Sequence, residues 1–358
     1  MNDAQYQAHT VTDDELVRRV GGLFERNGNP KDANHLRWMY IDNSAEGALT
    51  NVAVSQSDED AAVYSVFKVR VVVNGSEMVA SQSVDTLTDK NHRGRGLFFK
   101  LAEAVYQEAD NSGLAFVYGF PNSSSGPVFF SKLGWVESTP PPYLIYPSNL
   151  AYPLQRKFKW FPKIRLKNFL FSSLLGVKSL IGRNSELSIV DIQNFEGDGY
   201  SALWKKFSAT FDVAVQRDAK YMQWRFINKP GNNYRIVGLL CGEQWLALAV
   251  YTVLEKHGGR IGYVMEFIHD PAYEQDAKQL MQHIVLQMNQ QGADAILAWN
   301  RTTSAGHSIY KSALFMPLPR ALQPIKLHFG FRPNPVIAAV DSLATSNFYI
   351  SYADSDTV

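Results

Sequence analysis

Alternating blocks of helical and strand-like hydrophobic patterns mark the first third of the chain. Apolar residues recur every three or four positions over residues 13–27, which predicts a helix. Segments 49–55 and 61–73 are rich in valine and aromatic residues and predict strands. The Asn74-Gly75 pair that follows is typical of a tight hairpin turn, so residues 78–87 are predicted to return as the next strand.

The pattern continues with a glycine loop and another helix. Residues 91–96 contain two glycines, and the amphipathic residues 97–110 behind them predict a helix. A strand over 115–120 and a short helix near 126–132 follow. Helices that alternate with hairpin-connected strands predict a mixed α/β fold around a central sheet.

Two eight-residue segments about half a chain apart have similar sequences. Residues 35–42 read HLRWMYID and residues 221–228 read YMQWRFIN, which places Trp38 and Trp224 at matching positions. A helix end, a glycine and a strand also follow one another once in each half of the chain. We therefore predict two tandem α/β units of the same kind.

The predicted organisation is an N-terminal domain over residues 1–145, a linker over 146–186 and a C-terminal domain over 187–358. A chain of 358 residues is long enough for two such domains. Residues 155–183 carry eight Lys or Arg and no Asp or Glu, interleaved with apolar residues. Such a segment can lie on an anionic membrane surface as a peripheral contact, although a linker helix that docks on the two domains is the simpler interpretation.

Charge and cysteine content argue against several classes of protein. The net charge is +1, which argues against a globally basic nucleic-acid-binding protein, and we expect no nucleic-acid partner. The single cysteine, Cys241, excludes a disulfide framework and a cysteine-rich zinc site. The eight histidines show no metal-ligand spacing, so we expect no metal. With no signal-like or membrane-spanning segment in this sequence, the expected location is the cytoplasm or its membrane surface.

The turn Arg93-Gly94-Arg95-Gly96 lies between a predicted strand and a predicted helix. Glycine lets the backbone approach a ligand closely, and the first amides of a helix lack partners within it. The helix dipole and the two arginines add positive charge, which favours a diphosphate. The segment is neither a Walker A loop nor a dinucleotide-binding fingerprint, because it lacks Gly-Lys-Ser/Thr and a third glycine. Taken alone, the turn is equally typical of an ordinary tight connection.

Three motifs together resemble the GNAT superfamily of acyl-CoA-dependent N-acyltransferases. The sequence NHRGRG over residues 91–96 is similar to the family's pyrophosphate motif, Gln/Arg-x-x-Gly-x-Gly/Ala. Asn122 follows the next strand, and FSKLGW over residues 130–135 resembles the family's later aromatic–x–Lys–Leu–Gly–aromatic run. The match is close over about residues 60–137 and loose over the rest of the chain. It implies two tandem GNAT-like domains, each with a mixed, mostly antiparallel sheet flanked by helices.

The resemblance also implies which residues hold the co-substrate, acetyl-CoA or another acyl-CoA. Backbone groups of the strand over 82–88 would bind the pantetheine arm, amides of the glycine loop would bind the pyrophosphate, and Asn122 would hydrogen-bond the pantetheine. Two residues depart from the family pattern: Asn91 replaces the usual Gln or Arg, and Phe130 stands where many members place an acidic tyrosine. The predicted acyl-CoA contacts are Val84, Thr86, Arg93, Gly94, Arg95, Gly96, Leu97, Asn122 and Phe130.

Acyl transfer to an amine requires a group that takes the amine's proton, and a carboxylate can do so. Asp85 lies on the strand that is predicted to flank the thioester, so it is the first candidate for the base. Glu77 and Asp89 are weaker candidates. Tyr118 and Tyr143 are the weak candidates for the acid that protonates the leaving thiolate.

The second half is predicted to share the fold of the first half but to lack its diphosphate-binding loop. No glycine lies between Gly262 and Gly292, and the acidic Glu274 and Asp276 at the expected helix start would repel a diphosphate. We therefore predict that this half binds no CoA and instead supports the first half or shapes the acceptor groove. Residues 347–356 predict a last strand and a short, solvated acidic tail.

These patterns predict an acyl-CoA-dependent N-acyltransferase, using acetyl-CoA, that acts on a small amine. By resemblance to two-copy bacterial members of the family, an amino sugar of a surface polysaccharide is one acceptor class, and a lipid-linked acceptor would explain the basic linker. One alternative is an aminoacyl transferase that uses aminoacyl-tRNA, against which the intact glycine loop argues. Another is a non-catalytic acyl-CoA-binding protein, which Phe130 keeps open.

Overall fold

The computed structural model contains two mixed, mostly antiparallel β-sheets flanked by helices, which confirms the predicted fold class. Most of the basic segment 155–183 lies outside the residues that the structure describes, so its contact with a membrane stays a prediction. The structure describes residues 6–355 except 124, 159, 161, 163–165, 167, 169–172, 174, 176–185, 302–303, 305, 338–342 and 344–346.

The strands of the first half end close to the predicted positions. The Asn74-Gly75 turn joins β3 to β4 with both residues at positive φ, as a tight hairpin requires. In chain order these strands are β1 (Tyr6–Thr10), β2 (Ala48–Ser55), β3 (Asp60–Val73), β4 (Ser76–Thr88), β5 (Phe116–Gly119), β6 (Val136–Ser138) and β7 (Tyr143–Pro147).

The strands of the second half are similar in number and order. A tight turn again joins the two longest of them. They are β8 (Leu187–Asp191), β9 (Val213–Val215), β10 (Arg235–Cys241), β11 (Gln244–Lys256), β12 (Gly259–His269), β13 (Ala295–Trp299), β14 (Met316–Pro317), β15 (Phe329–Pro333) and β16 (Phe348–Tyr349).

Helices flank both sheets, and aspartate side chains cap the N-termini of two of them. The Asp32 side chain accepts from the backbone N–H of His35 at the start of the second helix, at 2.9 Å. A single π-helical turn, Gln223–Ile227, continues the seventh helix. The helices are α1 (Asp13–Arg26), α2 (Ala33–Tyr40), α3 (Leu97–Asn111), α4 (Gly126–Lys132), α5 (Tyr152–Lys157), α6 (Gly199–Ser208), α7 (Ala219–Met222), α8 (Glu274–Gln290) and α9 (His307–Ser312).

Each half of the chain donates a strand to the sheet of the other half. The first sheet runs β1-β2-β3-β4-β5-β15-β6, and β15 lies antiparallel between β5 and β6. The second sheet runs β14-β7-β13-β12-β11-β10-β8, and β7 lies antiparallel between β13 and β14. Two short strands of the second half, β9 and β16, also extend the first sheet along β3.

This exchange crosses the predicted domain boundary. The predicted N-terminal domain ends at residue 145, within β7, yet β7 pairs only with strands of the second sheet among the described residues. Gly330 allows β15 to enter the first sheet, because a Cβ there would lie 2.5 Å from the Phe130 ring. The boundaries themselves stay a prediction, since a strand exchange leaves each sheet dependent on both halves.

The two matching tryptophans meet at the centre of the molecule. Trp38 and Trp224 stack with their ring centroids 4.8 Å apart and their planes 15° from parallel. The indole N–H of Trp38 donates to the backbone oxygen of Trp224, and the indole N–H of Trp224 donates to that of Trp38, both at 2.8 Å. The reciprocal bonds satisfy two buried donors and two buried acceptors, so the pair ties α2 to the π-helical turn.

The chain end is buried rather than solvated, so the prediction of a solvated acidic tail is wrong over residues 351–355. Asp354 forms an ion pair with Arg217 at 2.6 Å, and Arg217 also donates to Glu266 at 2.8 Å. The Nε and Nη2 atoms of Arg225 donate to the backbone oxygens of Ala353 and Ser355, each at 3.1 Å. A buried guanidinium requires acceptors, and the acidic chain end supplies them.

Candidate functional site

The glycine loop joins β4 to α3 as the sequence predicts. The Asp89 side chain begins a single 3₁₀ turn, Lys90–His92, by accepting from the backbone N–H of Asn91 at 2.8 Å. Burial opposes ionisation of Asp89, but hydrogen bonds from Asn91 and Asn27 outweigh it and hold the pKa of Asp89 below its usual value. Asp89 is therefore a structural cap of the loop.

Gly94 and Gly96 both have left-handed backbones, with φ of 77° and 71°. Other L-residues rarely adopt this conformation, so the loop requires glycine at both positions. A Cβ at either position would have no atom within 4 Å, which leaves the surface of the loop open to a ligand. Gly96 is also the N-cap of α3, whose first free amides therefore begin at the loop.

The two arginines of the loop are exposed, and Tyr6 of β1 holds one of them. The Arg95 guanidinium lies over the Tyr6 ring and donates to its hydroxyl oxygen. The same oxygen is 2.9 Å from Nδ1 of His92. Arg93 donates weakly to the Thr88 backbone oxygen, at 3.4 Å. The loop thus combines fixed positive charge with outward-facing amides, which is the chemistry of a diphosphate site.

A β-bulge in β4 lies directly before this loop. Ser83 pairs with Val66 and Thr86 pairs with Tyr64, so two residues of β4, Val84 and Asp85, lie opposite a single residue of β3. A bulge bends its strand and redirects the side chains on both sides. As a result Val84 and Thr86 face a cleft, whereas Asp85 points toward α1 and α2.

The cleft opens because β4 and β5 pair over only two residues. They are parallel at Ser81–Val117 and Gln82–Tyr118, and their pairing ends there. The opening has a volume of about 470 Å³. Gly119 lies at its edge, where a Cβ would come within 3.2 Å of the Ser83 backbone oxygen. Its walls include Gln82, Ser83, Val84, Thr86, Phe120, Pro121, Asn122, Phe129 and Trp135.

The predicted acyl-CoA contacts divide into three groups. Val84, Thr86 and Asn122 line the cleft. Asn122 also accepts from the Ser125 backbone N–H at 2.9 Å, which fixes the turn before α4. Arg93 through Leu97 form the glycine loop. Phe130 is absent from the cleft walls and packs instead against His328 and Gly330 beside the exchanged strand, while Phe129 lines the cleft.

The candidate acids lie away from the cleft surface. Tyr118 is buried and donates to Oε1 of Gln82 at 2.9 Å. Burial, reinforced by the charge of Asp354, raises the pKa of Tyr118 well above its usual range, which makes it a weaker acid. Tyr143 belongs to the second sheet and packs edge-on against Trp299, and burial raises its pKa to about 12.

The candidate bases are also displaced from the cleft. Asp85 is buried, forms an ion pair with Lys31 and accepts from the Tyr40 hydroxyl at 2.6 Å. Glu77 is exposed near the far end of β4, about 20 Å from Val84 by the rise of a strand. Asp85 is therefore placed to hold Lys31 and Tyr40. Glu77 is too far from the cleft to act there.

Replacing Asp85 with asparagine tests this structural role. We expect Asp85→Asn to lower the free energy of unfolding by about 1–3 kcal/mol, because the Lys31 ammonium loses its carboxylate. Urea unfolding followed by tryptophan fluorescence measures the loss. Asp58→Asn, at an exposed turn, is the control and should change stability by less than about 0.5 kcal/mol. Unchanged stability in Asp85→Asn would contradict the structural role.

A second, smaller pocket of about 60 Å³ adjoins the cleft along β4. Gln82 and Val84 line both this pocket and the cleft, so the two cavities meet at the bulge. Gln82 is fixed there by Tyr118 and by its own donation to the Asp354 backbone oxygen at 2.7 Å. The pocket walls also include His35, Trp38, Met39, Phe67, Tyr221, Trp224, Arg225, Lys229, Ala353 and Ser355.

His35 is the titratable imidazole of the smaller pocket. It lies on α2 with its ring centroid 5.1 Å from that of Trp38. Burial, followed by the charges of Lys229 and Lys31, lowers the pKa of His35 below 6.5. The ring is therefore neutral at pH 7 and able to accept a proton.

Sequence reasoning missed both His35 and Gln82. His35 stands in the repeated segment, where it matches Tyr221 and extends a helix pattern without any mark of chemistry. Gln82 is one polar residue in a predicted strand. What marks both residues as part of the site is their position near the bulge. The strand pairing that creates the bulge cannot be predicted from the identity of either residue.

The second half differs from the first at the matching places. Asp270 begins a 3₁₀ turn as Asp89 does, but α8 starts directly after that turn, without a counterpart of residues 93–96. A glycine stands at the start of the helix that follows in each half, Gly126 in the first and Gly306 in the second. Seven residues before it, the first half has Gly119 and the second half has Trp299. Tyr352 stacks on Trp299 with centroids 4.2 Å apart, so aromatic side chains fill this region.

Metal ligands and membrane-spanning helices are both absent from the described residues. No group of three or more His, Cys, Asp or Glu side chains there is arranged to hold a metal ion. No helix in that part of the chain is long and apolar enough to cross a membrane.

Comparison with known proteins gives one family and several similar structures. Residues 16–137 match the family model for the acetyltransferase (GNAT) domain. A GCN5-related N-acetyltransferase from Anabaena variabilis ATCC 29413 is similar over 93% of this chain and 74% of its own, with a TM-score of 0.62 and 10% identity. No curated protein sequence matches the chain.

Two further structures are similar over nearly the whole chain. Saccharomyces cerevisiae N-myristoyltransferase with bound myristoyl-CoA is similar over 93% of this chain and 79% of its own chain, with a TM-score of 0.59 and 11% identity. A conserved protein of unknown function from Enterococcus faecalis V583, described as a probable N-acyltransferase, covers 92% with 73% of its own, at a TM-score of 0.62 and 8% identity. At these identities the likeness concerns the fold.

Proposed function

We propose, on the premise that this chain belongs to the GNAT superfamily, that it transfers an acyl group from acyl-CoA to a small primary amine. The observation that carries the proposal is the meeting of the two cavities at Gln82 and Val84. One cavity extends along the bulged strand toward the glycine loop, and the other contains a neutral imidazole. An acyl donor and an amine acceptor could therefore react across the same two residues.

The first cavity suits the acyl-CoA. The loop amides and the two arginines would hold the pyrophosphate at the start of α3, and the open edge of β4 would hydrogen-bond the pantetheine arm. Arg95 is already oriented by Tyr6. Gly119 keeps the cleft open where the second half has Trp299. We therefore assign acyl-CoA binding to the first half alone.

His35 is our proposed base, in place of Asp85. In the reaction the amine nitrogen bonds to the thioester carbonyl carbon, the carbon–sulfur bond breaks, and the proton lost by the nitrogen passes to the imidazole. The imidazolium then gives this proton to the departing CoA sulfur, which leaves as a free thiol. Because the amine attacks the thioester directly, no covalent enzyme intermediate is formed. His35 suits this role because it is neutral at pH 7 and lies in the acceptor pocket.

The size of the acceptor pocket favours a short acyl group. A cavity of about 60 Å³ suits an acetyl group and the amine end of an acceptor better than a long acyl chain. We therefore propose acetyl-CoA as the donor. The small-amine acceptor, including an amino sugar of a surface polysaccharide, stays a proposal that rests on the sequence.

A binding experiment followed by an activity screen tests this function. We expect isothermal calorimetry to show one acetyl-CoA per chain, and a thiol reagent to detect CoA release with at least one amine from a panel of amino sugars, amino acids and polyamines. Failure to bind acetyl-CoA, longer acyl-CoAs or CoA would refute the proposal. Binding without release for any amine would favour a non-catalytic acyl-CoA-binding protein, and transfer from aminoacyl-tRNA instead would favour the other alternative.

A further inference from the structure

The two crossover segments that exchange strands line a cleft of their own. We call it the crossover cleft; it lies between residues 139–142, which join β6 to β7, and residues 318–328, which join β14 to β15. Its volume is about 920 Å³, the largest among the cavities described above. Residues 325–327 form a wall that it shares with the acyl-CoA cleft. The crossover cleft exists only because the strands are exchanged.

Positive charge dominates the crossover cleft. Three cations, Arg301, Arg320 and Lys326, line it beside the imidazole of His328, and Glu137 is the acidic residue among its lining residues. Glu137 is engaged, because its Oε1 lies 3.0 Å from Nδ1 of His328. Arg320 and Lys326 are exposed and have no ion-pair partner in the part of the chain that the structure describes. The cleft therefore carries an excess of cations.

Arg301 gives this charge a fixed position. It is half-buried, donates one hydrogen bond to the Thr139 backbone oxygen, and buries its Nε without an acceptor among the described residues. Burial lowers the pKa of the Arg301 guanidinium, and no carboxylate among the described residues offsets this effect. A guanidinium withdrawn from water in this way is stabilised by an oxyanion that accepts from it.

Apolar surface lies beside the charges. The triproline of residues 140–142, the Tyr143 ring, Ile325 and Leu327 contribute it. Ile325 is 42% exposed, which is high for a large apolar side chain. A ligand of complementary chemistry would carry a phosphate for the cations and an apolar portion for these residues.

We propose that the crossover cleft binds an organic phosphate through Arg301, Arg320 and Lys326, at a site separate from the acyl-CoA loop. The phosphate would belong either to a soluble ester or to the headgroup of a lipid, since both present the same oxyanion. The proposal does not rest on acyl transfer. It adds a second anion site on the far side of the wall formed by residues 325–327.

The experiment measures binding of a phosphate probe that cannot use the acyl-CoA loop. Gly96→Glu serves as the background, because it places a negative charge at that loop. The probe is dihexanoyl phosphatidic acid below its micellar concentration, and dihexanoyl phosphatidylcholine, whose phosphate is masked by choline, is the comparison. We expect calorimetry to show binding of the phosphatidic acid that weakens at least tenfold in Arg320→Gln/Lys326→Gln.

A matched control keeps the result interpretable. Lys205→Gln/Lys311→Gln removes two exposed cations that do not line the crossover cleft and should leave the affinity unchanged. Both cleft cations are exposed as well, so the variants should fold alike, which thermal melting checks. Equal affinities in all three proteins, or no binding in the Gly96→Glu background, would overturn the proposal.

Two further arms identify the source of the phosphate. Vesicles of phosphatidylcholine with one-fifth phosphatidic acid test the lipid, and glucose 6-phosphate tests a soluble ester. Vesicle binding that depends on Arg320 and Lys326 assigns a lipid headgroup, and glucose 6-phosphate binding with the same dependence assigns a soluble ester. Acetyl-CoA binding by the single variant Arg320→Gln, whose position lines the crossover cleft but not the acyl-CoA cleft, should stay normal, which separates failure of this proposal from failure of the proposed function.

Discussion

Replacing Gly96 with glutamate should abolish acyl-CoA binding while the protein remains folded. Gly96 has a φ of 71°, and any other L-residue there costs about 1–2 kcal/mol. The added carboxylate would also stand at the N-terminus of α3, where the diphosphate must bind. The added carboxylate would repel the diphosphate that the loop amides and the two arginines attract. We therefore expect the affinity for acyl-CoA, measured by calorimetry, to fall at least a hundredfold.

Gly113 provides a closely matched control at the other end of the same helix. It is exposed, has the same φ of 71°, and would have no atom within 4 Å of an added Cβ, as is true of Gly96. Gly113→Glu should therefore share the backbone cost and keep normal acyl-CoA affinity. Equal loss of affinity in the two variants would show that the effect comes from destabilisation of α3 and would remove the loop from the binding site.

Replacing His35 with glutamine should lower kcat about 10²–10³-fold, because a positioned general base contributes on that scale. Acetyl-CoA affinity should stay unchanged, since His35 lines the smaller pocket and not the acyl-CoA cleft. Steady-state kinetics on the best amine from the screen, together with calorimetry, measures both quantities. A loss of acyl-CoA affinity in place of kcat would contradict the proposed role.

The pH profile separates a base from a residue that only shapes the pocket. The neutral form of His35 is the active one, so kcat/KM of the wild type should fall as pH falls through its pKa, which lies below 6.5. His35→Gln should lose this acidic limb. His9→Gln, at an exposed position on β1, should keep both the rate and the limb. A limb that persists in His35→Gln belongs to another group.

Much of the first half could be predicted because its signals are local. The Asn74-Gly75 hairpin and the glycine loop each depend on a few adjacent residues with special backbone conformations, and both are present where expected. The family motif correctly predicted the glycine loop and the position of Asn122 beside the cleft. Local sequence was sufficient for these features because their geometry closes within a few residues.

The strand exchange and the position of Asp85 depend on distant partners. The sequence of β15 does not predict that it pairs with β5 and β6, which lie nearly 200 residues earlier in the chain. Its apolar pattern would suit either sheet. Asp85 was predicted on the correct strand, but the bulge turns its side chain to Lys31 and Tyr40. Phe130 was likewise predicted at the cleft and packs on the exchanged strand.

The exchanged strand has a consequence for how the protein is made. Roughly 190 residues separate β6 from β15, so a ribosome adding about 5–20 residues per second needs about 10–40 s to supply the strand that joins β5 to β6. Until then the nascent first sheet has two unpaired edges, which are sites of misassociation. A truncated product ending in the linker would never close this sheet. We therefore expect the acyl-CoA cleft, whose wall includes residues 325–327, to be complete only after nearly the whole chain has been synthesised.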